Sequence, residues 1–97
     1  MNFEWDENKN RTNIKKHGIS FQEATSVFFD DYAILFDDKI HSNNEDRFCI
    51  LGVSDRDNLC MVVHCYKESE EIVRIISARP STKNETKTYN KYLKGWK

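Results

Sequence analysis

Apolar residues recur at helical spacing in the first third of the chain, gather in short β-branched runs in its middle, and return to helical spacing near its end. Asp6 is a favourable N-cap and Gly18 suits a left-handed C-terminal position, which predicts a first helix from about Asp6 to Lys16. Ser20 and Glu23 have the spacing of a capping box, which predicts the start of a second helix. The apolar face of this second helix comprises Phe21, Ala24, Thr25 and Phe28.

The middle of the chain predicts four strands joined by short turns. The runs are Ala33–Phe36, Arg47–Val53, Leu59–Tyr66 and Ile72–Arg79. The polar separators are short, which favours antiparallel hairpins. Thr82 and Glu85 then repeat the capping-box pattern and predict a closing helix. Its apolar stripe, expected to pack on the sheet rather than to stack on bases, comprises Tyr89, Tyr92, Leu93 and Trp96.

These elements predict an α+β domain with two N-terminal helices, a four-stranded antiparallel meander sheet and a C-terminal helix. The 97 residues are expected to form one domain, residues 1–97, because a chain of this length has no room for a second core. No apolar run approaches the ~18 residues of a membrane span, and the acidic start is unlike a signal peptide. The sequence therefore argues against a membrane protein and against a secreted precursor.

Cysteine usage indicates a reducing compartment. Cys49, Cys60 and Cys65 are odd in number, lack C-x-x-C spacing and lie within apolar runs, so buried reduced thiols are expected. A zinc site would need a fourth ligand, and only His64 is near them in sequence. The cytoplasm is the predicted location.

Charge is distributed unevenly along the chain. Residues 74–97 carry seven basic residues and one acid, whereas residues 1–73 carry eight basic and fifteen acidic residues. Within the acidic part, residues 8–17 hold four basic residues and no acid. Two basic segments on a chain of net charge −1 indicate a local anionic partner such as RNA phosphate, although two solvated helix faces would produce the same pattern.

Symmetric hairpin turns predict which residues lie opposite each other across the sheet. Position 65 is then opposite 74, 64 opposite 75, 47 opposite 65, and 48 opposite 64. One face gathers Glu45, Arg47, Cys65 and Arg74. The other face, which is the predicted core with His64 half-buried, holds Phe48, Ile50, Val62, His64, Val73 and Ile75. Arg79 is expected to point away from Arg74 unless the strand bulges near Ser77.

Two interpretations of the arginine face stay open. Glu45 neutralises Arg47 and Arg74 in a surface network, or the two guanidinium groups bind phosphate while Glu45 acts as a general base. Neither a metal nor a cofactor is expected, because the sequence has no glycine-rich phosphate loop and its three histidines lack ligand spacing.

Several motifs together resemble the opening, middle and end of the BrnT toxins. They are Phe3-Glu-Trp-Asp6, Lys9, Asn13, Lys16-His-Gly18, Phe21, Ala24, Phe28-Phe-Asp30, Glu45-Asp-Arg47, Gly52, Arg74-Ile-Ile-Ser-Ala-Arg79, Glu85 and Tyr89. The resemblance implies a small cytoplasmic endoribonuclease, similar to the RelE-like toxins of bacterial type II toxin–antitoxin systems. It also implies a BrnA-like antitoxin of ribbon-helix-helix type, through which alone the toxin reaches promoter DNA. No membrane association is expected, and the free toxin is expected to be a monomer.

The resemblance also implies which residues act on RNA. Carried over by position, they are Lys16, His17, Glu45, Arg47, Arg74, Arg79 and Tyr89. Metal-independent cleavage needs the 2′-hydroxyl deprotonated, the phosphorane charge stabilised and the 5′-oxygen protonated. Arg47 and Arg74 suit charge stabilisation. Glu45 or Lys16 is then the candidate base, and His17 or Tyr89 the candidate acid.

The residues predicted to bind RNA without taking part in the chemistry are Lys15, Arg79, Lys83 and Lys87. The alternative function is a catalytically silent module that holds RNA or a protein partner in the same basic groove.

Overall fold

The computed structural model describes residues 1–38, 46–67, 69 and 71–95, which form an α+β fold with three helices and a five-stranded mixed sheet. The strands are β1 (Asn2–Glu4), β2 (Ile34–Asp37), β3 (Phe48–Val53), β4 (Leu59–Lys67) and β5 (Ile72–Pro80). The helices are α1 (Glu7–His17), α2 (Phe21–Val27) and α3 (Lys83–Leu93). The predicted α+β fold class is confirmed. The prediction of a four-stranded antiparallel sheet is wrong in detail, because the sheet has five strands and one of its strand pairs is parallel.

That additional strand is β1, which pairs in parallel with β5 at one edge of the sheet. Glu4 is the partner of Arg74 in this pairing, and the full strand order is β1-β5-β4-β3-β2. Three residues are too few to show a periodic pattern, so β1 exists only because the folded core places β5 beside it. The other pairs are antiparallel hairpins, as predicted.

The predicted helix ends are formed by local hydrogen bonds. The Asp6 carboxylate accepts from the Asn8 and Lys9 backbone N–H groups at 2.8 and 3.1 Å, and Gly18 closes α1 at φ 73°. The capping box of α3 is complete. The one predicted for α2 forms only in part, because the Glu23 carboxylate instead accepts from the Ser54 hydroxyl at 2.6 Å.

The register of the hairpins agrees with prediction except where β5 bulges. Cys65 pairs with Arg74, and His64 pairs with Ile75. The register then shifts, Val63 pairs with Ser77, and one residue of β5 is left unopposed. Because Met61 is the partner of Arg79 beyond the bulge, Arg79 lies on the same sheet face as Arg74. The β3–β4 ladder ends at Phe48, so the predicted pairing of 47 with 65 is not part of it.

The two faces of the sheet carry separate apolar clusters. Helix α2 packs on one face over a core that includes Phe21, Val62, Val73 and Ile75, whereas helix α1 packs along β5. Helix α3 lies on the other face, where Tyr89 packs with Leu51 and Met61. His64 is fully buried in the first core rather than half-buried as expected, since the rings of Phe28, Phe48 and Tyr66 surround it.

Helix α1 is attached to the sheet by polar side chains. Its single apolar residue, Ile14, is exposed, whereas Asn10 and Asn13 are buried. The Asn13 amide donates to the carbonyls of Ile19 and Ala78 at 2.8 Å each, and its oxygen accepts from the Ala78 N–H at 3.2 Å. This side chain therefore replaces a neighbouring strand along the part of β5 that β1 does not reach.

Candidate functional site

Arg74 lies on the α3 side of the sheet and is held by a carboxylate from β1. Its Nη1 donates to Oε2 of Glu4 at 2.7 Å, and Nζ of Lys67 lies 3.7 Å from the same oxygen. The hydrogen bond from Arg74 is the largest influence on Glu4 and lowers the pKa of its carboxyl. All three side chains are partly exposed, so this cluster of two cations and one carboxylate faces solvent.

Arg47 and Glu45 were also predicted to lie near Arg74. Arg47 is half-buried just before β3, and its carbonyl accepts from the Asp38 N–H at 2.9 Å. Glu45, the predicted carboxylate partner, lies outside the described residues. Among the described residues, the carboxylate that binds Arg74 is Glu4.

Arg79 is also engaged by a carboxylate. Its guanidinium makes a fork with Glu85, with Nη1 to Oε1 at 2.8 Å and Nη2 to Oε2 at 2.9 Å. The same carboxylate accepts from the Thr82 N–H and so caps α3. This hydrogen bonding lowers the pKa of Glu85 and raises that of Arg79. Arg79 therefore fastens the start of α3 to β5, and an RNA phosphate would have to compete with Glu85 for it.

Lys16 and His17 lie together in an open groove between α1 and β5. The groove encloses about 330 Å³, and its lining residues are Asn8, Lys9, Thr12, Asn13, Lys16, His17, Ile76 and Ser77. Helical spacing of three to four residues brings the α1 side chains to one side, and the bulged part of β5 forms the other. We call this the α1–β5 groove.

The groove adjoins the sheet face that carries the arginines. Ser77 lines the groove, and its pairing with Val63 places it on the same face as Arg79 and Arg74. A strand advances about 3.3 Å per residue, so the backbone of Ser77 lies within about 10 Å of both arginines. Lys16 and His17 thus lie beside the strand that carries Arg74, although no described hydrogen bond or ion pair joins them to it.

Tyr89 occupies a structural position. It is 4% exposed, and its hydroxyl donates to Oδ2 of Asp30 at 2.6 Å. Burial, followed by this hydrogen bond, raises the pKa of Tyr89. Desolvation alone would raise the pKa of Asp30, but hydrogen bonds from Tyr89 and from the N–H groups of Val53 and Tyr32 lower it. The hydroxyl joins α3 to the segment after α2 and is poorly placed to donate a proton to RNA.

The sequence and the fold both match known proteins. The family profile "Ribonuclease toxin, BrnT, of type II toxin-antitoxin system" matches residues 5–85. The chain belongs to the BrnT family. The fold is similar to that of the Brucella abortus ribonuclease toxin BrnT, known from a 1.1 Å crystal structure, with a TM-score of 0.64 and 25% sequence identity. That match covers 86% of this chain and 99% of the Brucella chain. No curated protein sequence matches.

The BrnT assignment confirms the predicted family, and it implies an antitoxin partner because the family consists of toxins of type II toxin–antitoxin systems. The region matched by the profile contains the α1–β5 groove and both sheet arginines. Glu4 and Tyr89 lie outside it.

The remaining predicted RNA-binding lysines are exposed but lie away from the α1–β5 groove. Lys15 lies on a neighbouring side of α1, in a shallow groove that it shares with Arg11. Lys83 and Lys87 are exposed on α3. The predicted RNA-binding lysines are therefore distributed over α1 and α3.

The described part of the chain contains no cluster of three or more histidine, cysteine, aspartate or glutamate side chains able to hold a metal ion. Cys49, Cys60 and Cys65 are free thiols; Cys60 and Cys65 are buried as predicted, whereas Cys49 is only half-buried. Burial raises the pKa of Cys60 to about 12. No helix among the described residues is long and apolar enough to cross a membrane.

Sequence reasoning missed two residues that shape this site. Glu4 lies on a strand too short to be recognised from its pattern. Asn13 was named as a motif residue, but its packing role was not predicted. The sequence did indicate that role, because α1 has one apolar residue and its buried side therefore has to be polar.

Proposed function

We propose that this BrnT protein is an endoribonuclease toxin that cleaves RNA by metal-independent acid–base chemistry. The observation that carries the proposal is the α1–β5 groove, in which Lys16 and His17 line a surface next to the arginine face. Cationic and hydrogen-bonding groups of this kind can bind a phosphodiester and stabilise the charge that develops on it. Membership of a ribonuclease toxin family supports the same conclusion.

The residues divide into three proposed roles. Arg74, together with Arg47, stabilises the phosphorane, because guanidinium groups stay charged at physiological pH and match phosphate oxygens. His17 protonates the leaving 5′-oxygen, since an imidazole can donate a proton as a general acid. Lys16 or Glu45 accepts the proton of the 2′-hydroxyl. Tyr89 is left out because its hydroxyl is buried against Asp30.

The ion pair between Arg74 and Glu4 defines a condition for this mechanism. A bound phosphate would share the guanidinium with Glu4 or displace it, and Lys67 beside Glu4 would limit the electrostatic cost. Arg79 would act as a binding residue only if it is released in part from Glu85. Lys15, Lys83 and Lys87 extend the basic surface on both sides of the sheet and support binding of the RNA backbone.

The partner we propose is a BrnA-like ribbon-helix-helix antitoxin that covers the α1–β5 groove and the arginine face. Acidic side chains would neutralise Lys16 and Arg74, while apolar contacts would supply area. Promoter DNA would be bound through the antitoxin alone. We further propose that residues 1–97 act as a single toxin domain, that the free toxin is a monomer, and that it works in the cytoplasm on cellular RNA.

Cleavage of single-stranded RNA by the purified protein in the presence of EDTA tests this function. We expect cleavage to persist with chelator, to fall strongly in His17→Ala, and to be unchanged in Arg56→Ala, which removes a cation from an exposed turn. Cleavage that needs added magnesium would overturn the metal-independent mechanism.

The alternative is a silent RNA- or protein-binding module, and the two paired arginines are the observation that favours it. A silent module would arrest growth equally well as wild type and as Glu45→Gln, and its RNA would stay intact. An acid–base catalyst with Glu45 as its base would lose toxicity in that variant.

A further inference from the structure

Among the described residues, the lysines of the α1–β5 groove differ from the sheet arginines in having no carboxylate partner. Within the described residues, neither Lys9 nor Lys16 makes a salt bridge, whereas Arg74 and Arg79 are each paired with a carboxylate. Both lysines are exposed, and none of the described residues that line the groove is acidic. An external anion can therefore bind these ammonium groups without displacing a carboxylate of the protein.

Two neutral groups of the groove can also donate hydrogen bonds, the Asn8 amide and the Ser77 hydroxyl. The side-chain oxygen Oδ1 of Asn8 accepts from Nη2 of Arg11, which leaves the NH₂ group of the same amide to donate. The Ser77 hydroxyl makes no hydrogen bond within the described part of the protein and lies on the β5 wall. Thr12 donates its hydroxyl proton to the Asn8 carbonyl and offers only lone pairs. With the ammonium groups of Lys9 and Lys16, the groove therefore offers four donor groups, which favour binding of an anion over a base edge or a cation.

We infer that the α1–β5 groove contains a phosphate-binding subsite in which Lys9, Asn8 and Ser77 hold an RNA backbone phosphate next to the one that is cleaved. This inference rests on the proposed ribonuclease function for the identity of the anion. Lys9 and Lys16 are seven residues apart on α1, which is about two turns or 10 Å along the helix axis. That separation suits two successive points along a strand, with Lys16 and His17 at the reacting phosphate and Lys9 at its neighbour.

The subsite is expected to be insensitive to RNA sequence. Among the described residues that line the groove, Ile76 is the one apolar side chain and none is Phe, Tyr or Trp, so they offer no large aromatic surface on which a base could stack. Contacts to phosphate position a strand without reading its bases. Lys9 is therefore a binding residue and takes no part in proton transfer.

The test measures binding and cleavage separately. Affinity is measured by fluorescence anisotropy with a 2′-O-methyl RNA oligonucleotide, which cannot be cleaved by 2′-hydroxyl attack, over a range of salt concentrations. We expect Lys9→Ala to weaken binding about fivefold and to reduce the slope of log affinity against log salt by about 0.7. Cleavage of all-ribose RNA at saturating concentration should keep its wild-type kcat. The matched control is Arg56→Ala, which removes one exposed cation elsewhere and should change neither quantity.

A single-stranded DNA oligonucleotide of equal length distinguishes phosphate from ribose as the ligand. Lys9→Ala should weaken DNA binding by the same factor, and an effect confined to RNA would overturn the phosphate assignment. Binding by Lys9→Ala equal to that of Arg56→Ala would overturn the subsite. A wild-type protein that binds but does not cleave, with Lys9-dependent affinity, would support the subsite while refuting the ribonuclease proposal.

Discussion

Replacing Asn13 with alanine should destabilise the protein strongly, because this one side chain joins α1 to β5. The substitution removes hydrogen bonds to the Ile19 carbonyl and to both backbone groups of Ala78. Each buried backbone group left without a partner costs about 1–3 kcal/mol. We take the lower end, since water can reach the edge of β5 once the side chain is gone, and expect a loss of about 3 kcal/mol in the free energy of unfolding.

Such a loss is a large fraction of the total for a chain of this size, whose free energy of unfolding is expected to be about 5–15 kcal/mol. At about 4 °C or more per kcal/mol, the melting temperature should fall by about 12 °C or more. Urea unfolding followed by circular dichroism measures the same change as a lower midpoint at an unchanged m-value. Asn13→Asp should be at least as destabilised, because its carboxylate would face two carbonyl oxygens.

Thr12→Ala is the matched control for Asn13→Ala. It lies on the same helix, is exposed, and makes only a hydrogen bond to the carbonyl of Asn8 within α1. Its stability should stay within about 0.5 kcal/mol of wild type. If Asn13→Ala unfolds at the same urea concentration as Thr12→Ala, polar attachment of α1 does not stabilise the fold and our account of the groove wall is wrong.

Four further predictions concern the core, the mechanism and the partner. Tyr89→Phe should lose about 1.5–3 kcal/mol of stability with its hydrogen bond to Asp30, yet keep the wild-type kcat when assayed below its melting temperature; a collapse of kcat in the folded variant would restore Tyr89 as an acid. Arg74→Ala should reduce kcat far more than it weakens RNA binding, whereas Lys91→Ala should only weaken binding modestly. If the two variants change kcat and affinity alike, Arg74 contributes to RNA binding and not to transition-state stabilisation. Burial lowers the pKa of His64, so the unfolded chain binds this proton more readily than the folded protein. Stability should therefore fall as the pH drops below about 6.5, with a slope of up to about 1.4 kcal/mol per pH unit from this group, and chemical unfolding at several pH values would reveal a flat profile if the histidine does not contribute. Size-exclusion chromatography of toxin mixed with antitoxin should show a monomeric free toxin and a larger complex in which RNA no longer binds; a stable toxin homodimer, or a complex that still binds RNA, would contradict the proposed mode of inhibition.

Charge–charge contacts on the arginine face show why recognising residue types was not enough to predict the site. Arg74 was identified from the predicted strand register and Arg79 from the resemblance to the BrnT toxins, and both lie on the α3 side of the sheet. Their partners, however, are Glu4 and Glu85, which approach from β1 and from the start of α3. The predicted pairing of Glu45 with the arginines therefore stays a proposal. Among the described residues, Arg74 binds Glu4 and Arg79 binds Glu85.

Local sequence determined the elements whose signals are local. The caps at Asp6, Gly18 and Thr82 and the hairpin register around Cys65 follow from hydrogen bonds and turns between residues close in sequence. The family could also be recognised from ordered motifs, and the profile match confirms it. These features need no knowledge of the packed fold, because each is decided by a few neighbouring residues.

Tertiary structure decided the features that depend on distant parts of the chain. Strand β1 forms because the edge of β5 is available to it, and the bulge after Ile75 places Arg79 on the face of Arg74. Burial of Asn13 depends on the Ala78 backbone, 65 positions away along the chain. Each of these features depends on hydrogen bonds or packing between segments that come together only on folding. The groove that holds Lys16 and His17 is therefore built by contacts that no local pattern encodes.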